Sequence, residues 1–339
     1  MNKKQIRIQQ DAIMRKIRKR KMKSNKAKSQ IRSFKSSKRK HYKNFKLLEV
    51  IAPQIFTLHN LERVIGFVNQ TEKECAQFSA RSLKVNLDNV KEIDTYAISL
   101  LLSMLNRISH KNINYWGTYP KYQAPYNYIL ESGFLDVMKS NVIRKPNISH
   151  RDNQIFMVGK DSVDSHRIGK AVRQSISHIL GCESSYPPVY DNMLEICANS
   201  VEHANHSTID KNWLVSISFI DDYVHYILTD TGFGILSTLK KKKIQKIKDI
   251  ISKDETEVLS DVFHKVYQSI TGEINRHKGL PIIWESFAEG FVSNLKVLTN
   301  NVFYDFETER SLKLKHGFKG VLYSWTVSRV NYEKWLKSL

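Results

Sequence analysis

Three polar side chains spaced four residues apart, Glu195, Asn199 and His203, form the first part of this sequence that can do chemistry. On a helix they share one face, drifting by about 40° per four-residue step. A carboxylate, an amide and an imidazole aligned in this way can hold a metal ion and the phosphates it neutralises. Further along stands Asp230-Thr231-Gly232-Phe233-Gly234-Ile235. Here a carboxylate at a strand end can accept a hydrogen bond from a base amino group, and the glycines turn the backbone sharply and leave room for a ring. Each residue also has a plainer use. Glu195 can be a solvated carboxylate, Asn199 a local hydrogen-bonding group and His203 a ring packed on a sheet, while Asp230, Gly232 and Gly234 can simply make a turn.

The elements that must position these groups are readable nearby. Tyr190 onward is an amphipathic helix, Trp213 to Asp221 is a strand, Asp221-Asp222 a turn, and Tyr223 to Leu228 the partner strand of a hairpin. Asp161 to Leu180 reads as a helix with an apolar stripe of Ile168, Val172, Ile176 and Ile179, closed off by the loop that contains Pro187 and Pro188. Phe291 to Leu298, Val302 to Phe306, Ser311 to Lys315 and Gly320 to Val327 read as short strands. Upstream, Leu47 to Ala52, Ser82 to Leu87 and Ile113 to Gly117 read as strands. Leu58 to Val68, Thr71 to Ala80, Ala97 to Leu105 and Tyr126 to Val137 read as helices between and after them. Residues 138 to 162 read as a polar linker with one edge strand, Ile155 to Val158.

Together, the stretch Leu194 to Ala204 and the stretch Asp230 to Ile235, in this order and joined by a hairpin, resemble the N box and first glycine box of the GHKL ATPase superfamily, which includes histidine kinases, type II topoisomerases and anti-sigma serine kinases. The resemblance implies ATP and Mg²⁺ as cofactors. It makes Glu195 the catalytic base that orients water, Asn199 the Mg²⁺ ligand and His203 a phosphate contact. Asp230 becomes the adenine-recognising acid, with Gly232 and Gly234 beside it. Leu236 to Arg276 takes the place of the mobile lid over nucleotide; it carries the basic run Leu239 to Lys248 and a second helix, Glu257 to Ile270. Arg276 to Ile283 resembles the second glycine box through Gly279 and Leu280, with His277 where another glycine is common. Phe318 to Tyr323 resembles the final box, with Val321 in place of Thr. Residues 60 to 145 are similar to a STAS domain through Leu87-Asp88, Ile93-Asp94 and the Leu-rich helix that follows. Thr95 is there the nearest match to a phosphorylated residue, though an Asp-Thr pair at a helix start is also an ordinary cap.

The expected fold class is α/β, a Bergerat-type sandwich (mixed sheet, helices on one face) preceded by a small STAS-like α/β domain. Its expected boundaries are a basic arm at 1–46, the STAS-like domain at 47–145, a linker at 146–160, the nucleotide domain at 161–330 and a tail at 331–339. The net charge of +21 sits mostly in the arm, where 19 Lys and Arg stand against Asp11 alone. That arm is suited to nucleic acid or another acidic surface, or to solvation with no dedicated partner. Cys75, Cys182 and Cys197 have no metal-type spacing, and no run of about 18 apolar residues exists. A cytoplasmic protein without a membrane span is therefore expected. Three functions follow from the pattern: an ATP-dependent regulatory ATPase or switch, an anti-sigma-type serine/threonine protein kinase, and a non-catalytic binding protein that uses the arm. Expected partners are ATP and a regulatory protein, and the pattern is compatible with a homodimer.

Overall fold

From Trp213 to Phe219 the odd positions are apolar, the even ones are Leu214, Ser216 and Ser218, and all seven are buried, so this strand is covered on both faces. The computed structural model describes residues 47–140, 148–151, 153–160, 162–203, 212–241, 254–264 and 279–339. In it this stretch is β8 (Asn212–Ile220), inside a six-stranded sheet. The other members are β6 (Ile148–Arg151), β7 (Gln154–Lys160), β9 (Tyr223–Asp230), β10 (Ser293–Asp305) and β11 (Arg310–Ser328). The order is β10-β11-β9-β8-β7-β6, and every pairing is antiparallel. This corrects the expected mixed sheet: three of the pairs are sequence neighbours joined by short turns, which permit only antiparallel pairing. The turn Asp221-Asp222 is as expected, with Asp221 at φ 28°.

One face of the sheet is covered by helices that follow it in sequence or alternate with it. They are α5 (Ser165–Leu180), α6 (Pro187–His203), α7 (Ile235–Lys241), α8 (Glu255–Phe263) and α9 (Gly279–Ala288). Trp213, Val215, Ile217, Tyr226, Leu228, Val297 and Trp325 of the strands meet Ile168, Val172, Ile176, Met193, Ile196 and Ile283 of the helices. The opposite face is covered as well, which corrects the expectation of helices on one face only. Residues of α1 (Leu61–Gln77) and α2 (Thr95–Ser109) share a second core with Phe156, Leu214, Ile227, Leu298, Phe318 and Leu322. Residues 48–339 thus belong to one compact unit, and the chain is an α/β protein.

The first stretch also contains a three-stranded sheet, ordered β1 (Leu47–Ile51), β3 (Ser82–Asn86), β5 (Asn114–Gly117), with β3 and β5 parallel. The short β2 (Ile55–Phe56) and β4 (Glu92–Ile93) pair in parallel. Helix α1 runs unbroken through residues 69–77, where two separate helices were expected, because Thr71 and Glu72 are buried. The expected helix Tyr126 to Val137 is two, α3 (Gln123–Glu131) and α4 (Phe134–Ser140), parted by Gly133 at φ 77°. Gln154–Lys160, read as part of a linker with an edge strand, is an interior strand with β6 outside it. The four short stretches after residue 290 are two long strands, β10 and β11. The supposed tail is α10 (Arg329–Leu336), anchored by Tyr332 and Trp335 against Tyr186.

Polar pairs stitch α2 to the sheet. Tyr96 Oη and His225 Nε2 both meet Ser324 Oγ, at 2.5 and 2.8 Å. Burial, then the charge of Lys296, holds the His225 imidazole down to about 4, so the ring is neutral. Thr95 Oγ1 meets Tyr128 Oη at 2.5 Å and Ser218 Oγ at 3.3 Å, while Asp94 caps the helix by accepting from Ala97 N–H. The basic arm, Leu239 to Lys248 beyond residue 241, and Arg276, His277 and Lys278 lie outside the described residues. Among the described residues no helix is long and apolar enough to cross a membrane.

Candidate functional site

Strand β9 runs between β8 and β11, so the carboxylate at its C-terminal end is enclosed from both sides. Asp230 is 9 % exposed. Its Oδ1 accepts two backbone N–H groups at 2.9 Å, one from Gly232 and one from Val321. Its Oδ2 has no hydrogen-bond partner among the described residues. Burial raises the carboxyl from the ordinary 3.8 to about 6, against the lowering effect of the two N–H bonds and of the Arg107 charge. A buried acid with one oxygen pinned and the other without a partner among the described residues suits a donor arriving from a ligand.

The glycines serve a different purpose from the one expected. Gly234 lies at φ +83°, and a Cβ there would sit 2.5 Å from Asn300 Oδ1. The space beside it is therefore filled by Asn300 and not reserved for a base ring. Asn300, itself at φ 53°, accepts from Leu236 and Ser237 N–H and donates to Phe233 O and Ser237 Oγ. With Thr299 Oγ1 accepting from Ile235 N–H at 2.9 Å, it closes the start of α7. A Cβ on Gly232 would lie 3.3 Å from Asp230 Oδ1, so that glycine lets its own N–H reach the acid.

Helix α6 packs by Val189, Met193, Ile196 and Cys197, which turns Glu195 and Asn199 to half-buried positions. Asn199 Nδ2 donates to Glu195 Oε1 at 3.3 Å. The bond engages the amide nitrogen, and Asn199 Oδ1 has no hydrogen-bond partner among the described residues. Two shared neighbours link this pair to Asp230. Cys197 feels the Asp230 charge, and burial followed by the charges of Asp230 and Glu195 pushes the Tyr323 phenol well above its ordinary value. Asp230 has the strand parity of Tyr226 and Leu228, which face α6 in the core, so it lies on the face of the sheet that α6 covers. His203 is the last residue of α6, and its side chain lies outside the described residues. Gly279 opens α9, and Leu280 packs half-buried on the core that α9 shares with α6. Among the described residues no contact places Leu280 against Asp230.

Two contributors to the site, Thr299 and Asn300, escaped sequence reasoning, and two more, Val321 and Gly320, lie in the expected final box but act through the backbone. Val321, which stands where a Thr was expected, contributes its backbone N–H, so the side-chain change leaves the bond intact. Gly320, at φ +118°, lies so close that a Cβ would come 2.1 Å from Asp230 O. Thr299 and Asn300 are the others, and the pair Asn300-Asn301 inside an apolar strand was the available sign of a bulge. Comparison of the chain with family models, with curated proteins and with solved structures returned no match.

Proposed function

We propose that the protein binds ATP with Mg²⁺ at the Asp230 end of the sheet and acts as a nucleotide-controlled regulatory ATPase or switch. The observation that carries this reading is the Asp230 carboxyl: one oxygen is fixed by Gly232 and Val321 N–H, and the other has no partner among the described residues. A fixed, enclosed acceptor of this kind fits the exocyclic amino group of adenine. Asn199 Oδ1 fits as a single neutral ligand to Mg²⁺, an ion that keeps several waters and takes its other oxygens from phosphate. Bound Mg²⁺ would supply charge neutralisation at the phosphates. Glu195, held by the Asn199 amide, would orient a water for attack on the terminal phosphate.

The protein-kinase alternative has less support. The hydroxyl of Thr95 is engaged by Tyr128 and Ser218 at the seam between α2 and β8. Its modification within the same chain would require that seam to open.

The reading is tested by titrating ATP into the full chain with and without Mg²⁺, beside Asp230→Asn and Asn199→Ala, while following phosphate release. Binding in the wild type, weakened at least tenfold by Asp230→Asn and made independent of Mg²⁺ by Asn199→Ala, is the expected result. A folded wild-type chain that takes up no ATP would overturn it. Phosphate appearing on Thr95 in place of release would transfer the assignment to a kinase.

A further inference from the structure

We propose that Arg107 and Lys319 are positioning residues for Asp230, through which helices α1 and α2 set ligand recognition on the far face of the sheet. The ligand named here rests on the nucleotide reading above; the geometry does not. Glu72 of α1 is 4 % exposed, and its two oxygens are taken separately. Oε1 accepts from Arg107 Nε at 2.6 Å and Oε2 from Lys319 Nζ at 3.0 Å. A buried carboxylate needs such pairing, and here the two cations come from different layers of the molecule. Arg107 is further fixed by Ser103 Oγ at 2.9 Å and lies over the Phe318 ring, 5.7 Å from its centroid.

The consequence runs along β11. Arg107 Nη1 also donates to the backbone carbonyl of Lys319 at 3.3 Å. The next residue, Gly320, abuts the Asp230 backbone, and the one after, Val321, gives its N–H to Asp230 Oδ1. Residues 318–321 are thus gripped on one side by α1 and α2 and hold the acid on the other. Arg107 and Lys319 also line a cleft of about 860 Å³ that borders Gly232 and Phe233. Both backbone donors to Asp230 Oδ1 therefore lie on segments that the same cleft reaches.

The charge of Arg107 favours the ionised acid, so its removal has an electrical effect that a general loosening would not mimic. Among the described residues, Cys197 on α6 and Tyr323 on β11 also sense the Asp230 charge, the latter with that of Glu195, and both stay in place in the test.

The test uses the full chain with Arg107→Gln, with Lys319→Met, and with the double change Glu72→Gln/Arg107→Gln, which leaves no buried charge stranded and so keeps the fold. Two quantities are read: the ¹³C titration midpoint of the Asp230 carboxyl, assigned with Asp230→Asn, and ATP affinity. We expect the midpoint to move upward in both Arg107 variants. ATP affinity should fall about five- to tenfold near neutral pH in the double variant, and in the same direction in Lys319→Met. A folded double variant with unchanged midpoint and unchanged affinity would overturn the proposal and leave the nucleotide reading standing. If the wild type binds no ATP, the nucleotide reading fails, and the carboxyl midpoint alone decides the positioning role.

Discussion

Replacing Asp230 by Asn tests the site through stability alone, without any ligand. Burial raises this carboxyl from 3.8 to about 6, so between those values the native state holds a proton that the unfolded state has released. Stability therefore falls as pH rises through this window, and the loss is complete above it. At about 1.4 kcal/mol per pH unit, the ionised acid costs about 3 kcal/mol near pH 8 and less than about 1 kcal/mol near pH 4. Asn keeps the acceptor oxygen for Gly232 and Val321 and never ionises. Any fixed gain or loss from the new amide nitrogen is independent of pH. The difference in unfolding free energy between variant and wild type should therefore move by about 2 kcal/mol in the variant's favour from pH 4 to pH 8. Urea denaturation of both proteins across that range measures it. A difference that stays flat, or moves the other way, would refute the account of a strained, buried acid kept for recognition.

His225 should act with the opposite sign. Its imidazole is held near 4, so stability is fully present above the ordinary value of 6.5 and lost as pH falls toward 4. The wild-type chain should lose about 2–3 kcal/mol relative to His225→Asn over that interval, read from the same urea series. Gly320→Ala places a Cβ 2.1 Å from Asp230 O at φ +118°. It should cost about 3 kcal/mol or more and reduce ATP affinity, and a denaturation midpoint equal to wild type would contradict the close packing. Glu195→Gln should leave ATP binding within about twofold while slowing phosphate release about a hundredfold or more. Loss of binding instead would make Glu195 a structural partner of Asn199.

Legibility in the sequence tracked how local the cause was. Helix α6 and the hairpin β8–β9 could be read because a 3.6-residue apolar period and an Asp-Asp turn act within a few residues. Helix α1 reads as two pieces, Leu58 to Val68 and Thr71 to Ala80, because the polar run Asn69-Gln70-Thr71-Glu72 interrupts the apolar stripe, whereas Thr71 and Glu72 are buried in the fold. Glu72 is buried only by virtue of Arg107 and Lys319, the second 247 residues away. Strand β7 reads only as a short edge strand, Ile155 to Val158, because the apolar run is brief and its neighbours β6 and β8, which make it interior, are decided elsewhere in the chain. Strands β10 and β11 read as fragments because the register shifts at Asn300, where the bulge turns a side chain back to close α7. Of the site, the acid and the helix pair were visible from residue type and spacing. Gly320 and Val321 are marked only as part of the box Phe318 to Tyr323, and their contacts with Asp230 are not legible, because a backbone N–H and a missing Cβ leave no mark in a list of side chains.

The two-sided burial of the sheet bears on what the chain can do. Leu214, Ile227, Leu298, Phe318 and Leu322 face α1 and α2 and are each 5 % exposed or less. At about 1.5–3 kcal/mol per side chain, uncovering these five would cost on the order of 10 kcal/mol, comparable with the whole stability of a typical domain. Wholesale release of the first layer is therefore too costly for a regulatory step. A ligand at Asp230 has only small displacements to work with, and the residues able to transmit them are those that cross the sheet plane. Lys319 is such a residue: its carbonyl and ammonium meet Arg107 and Glu72, and its chain neighbours Gly320 and Val321 meet the acid. If nucleotide regulates this protein, the route from one face to the other passes through that turn of β11 and not through separation of the layers.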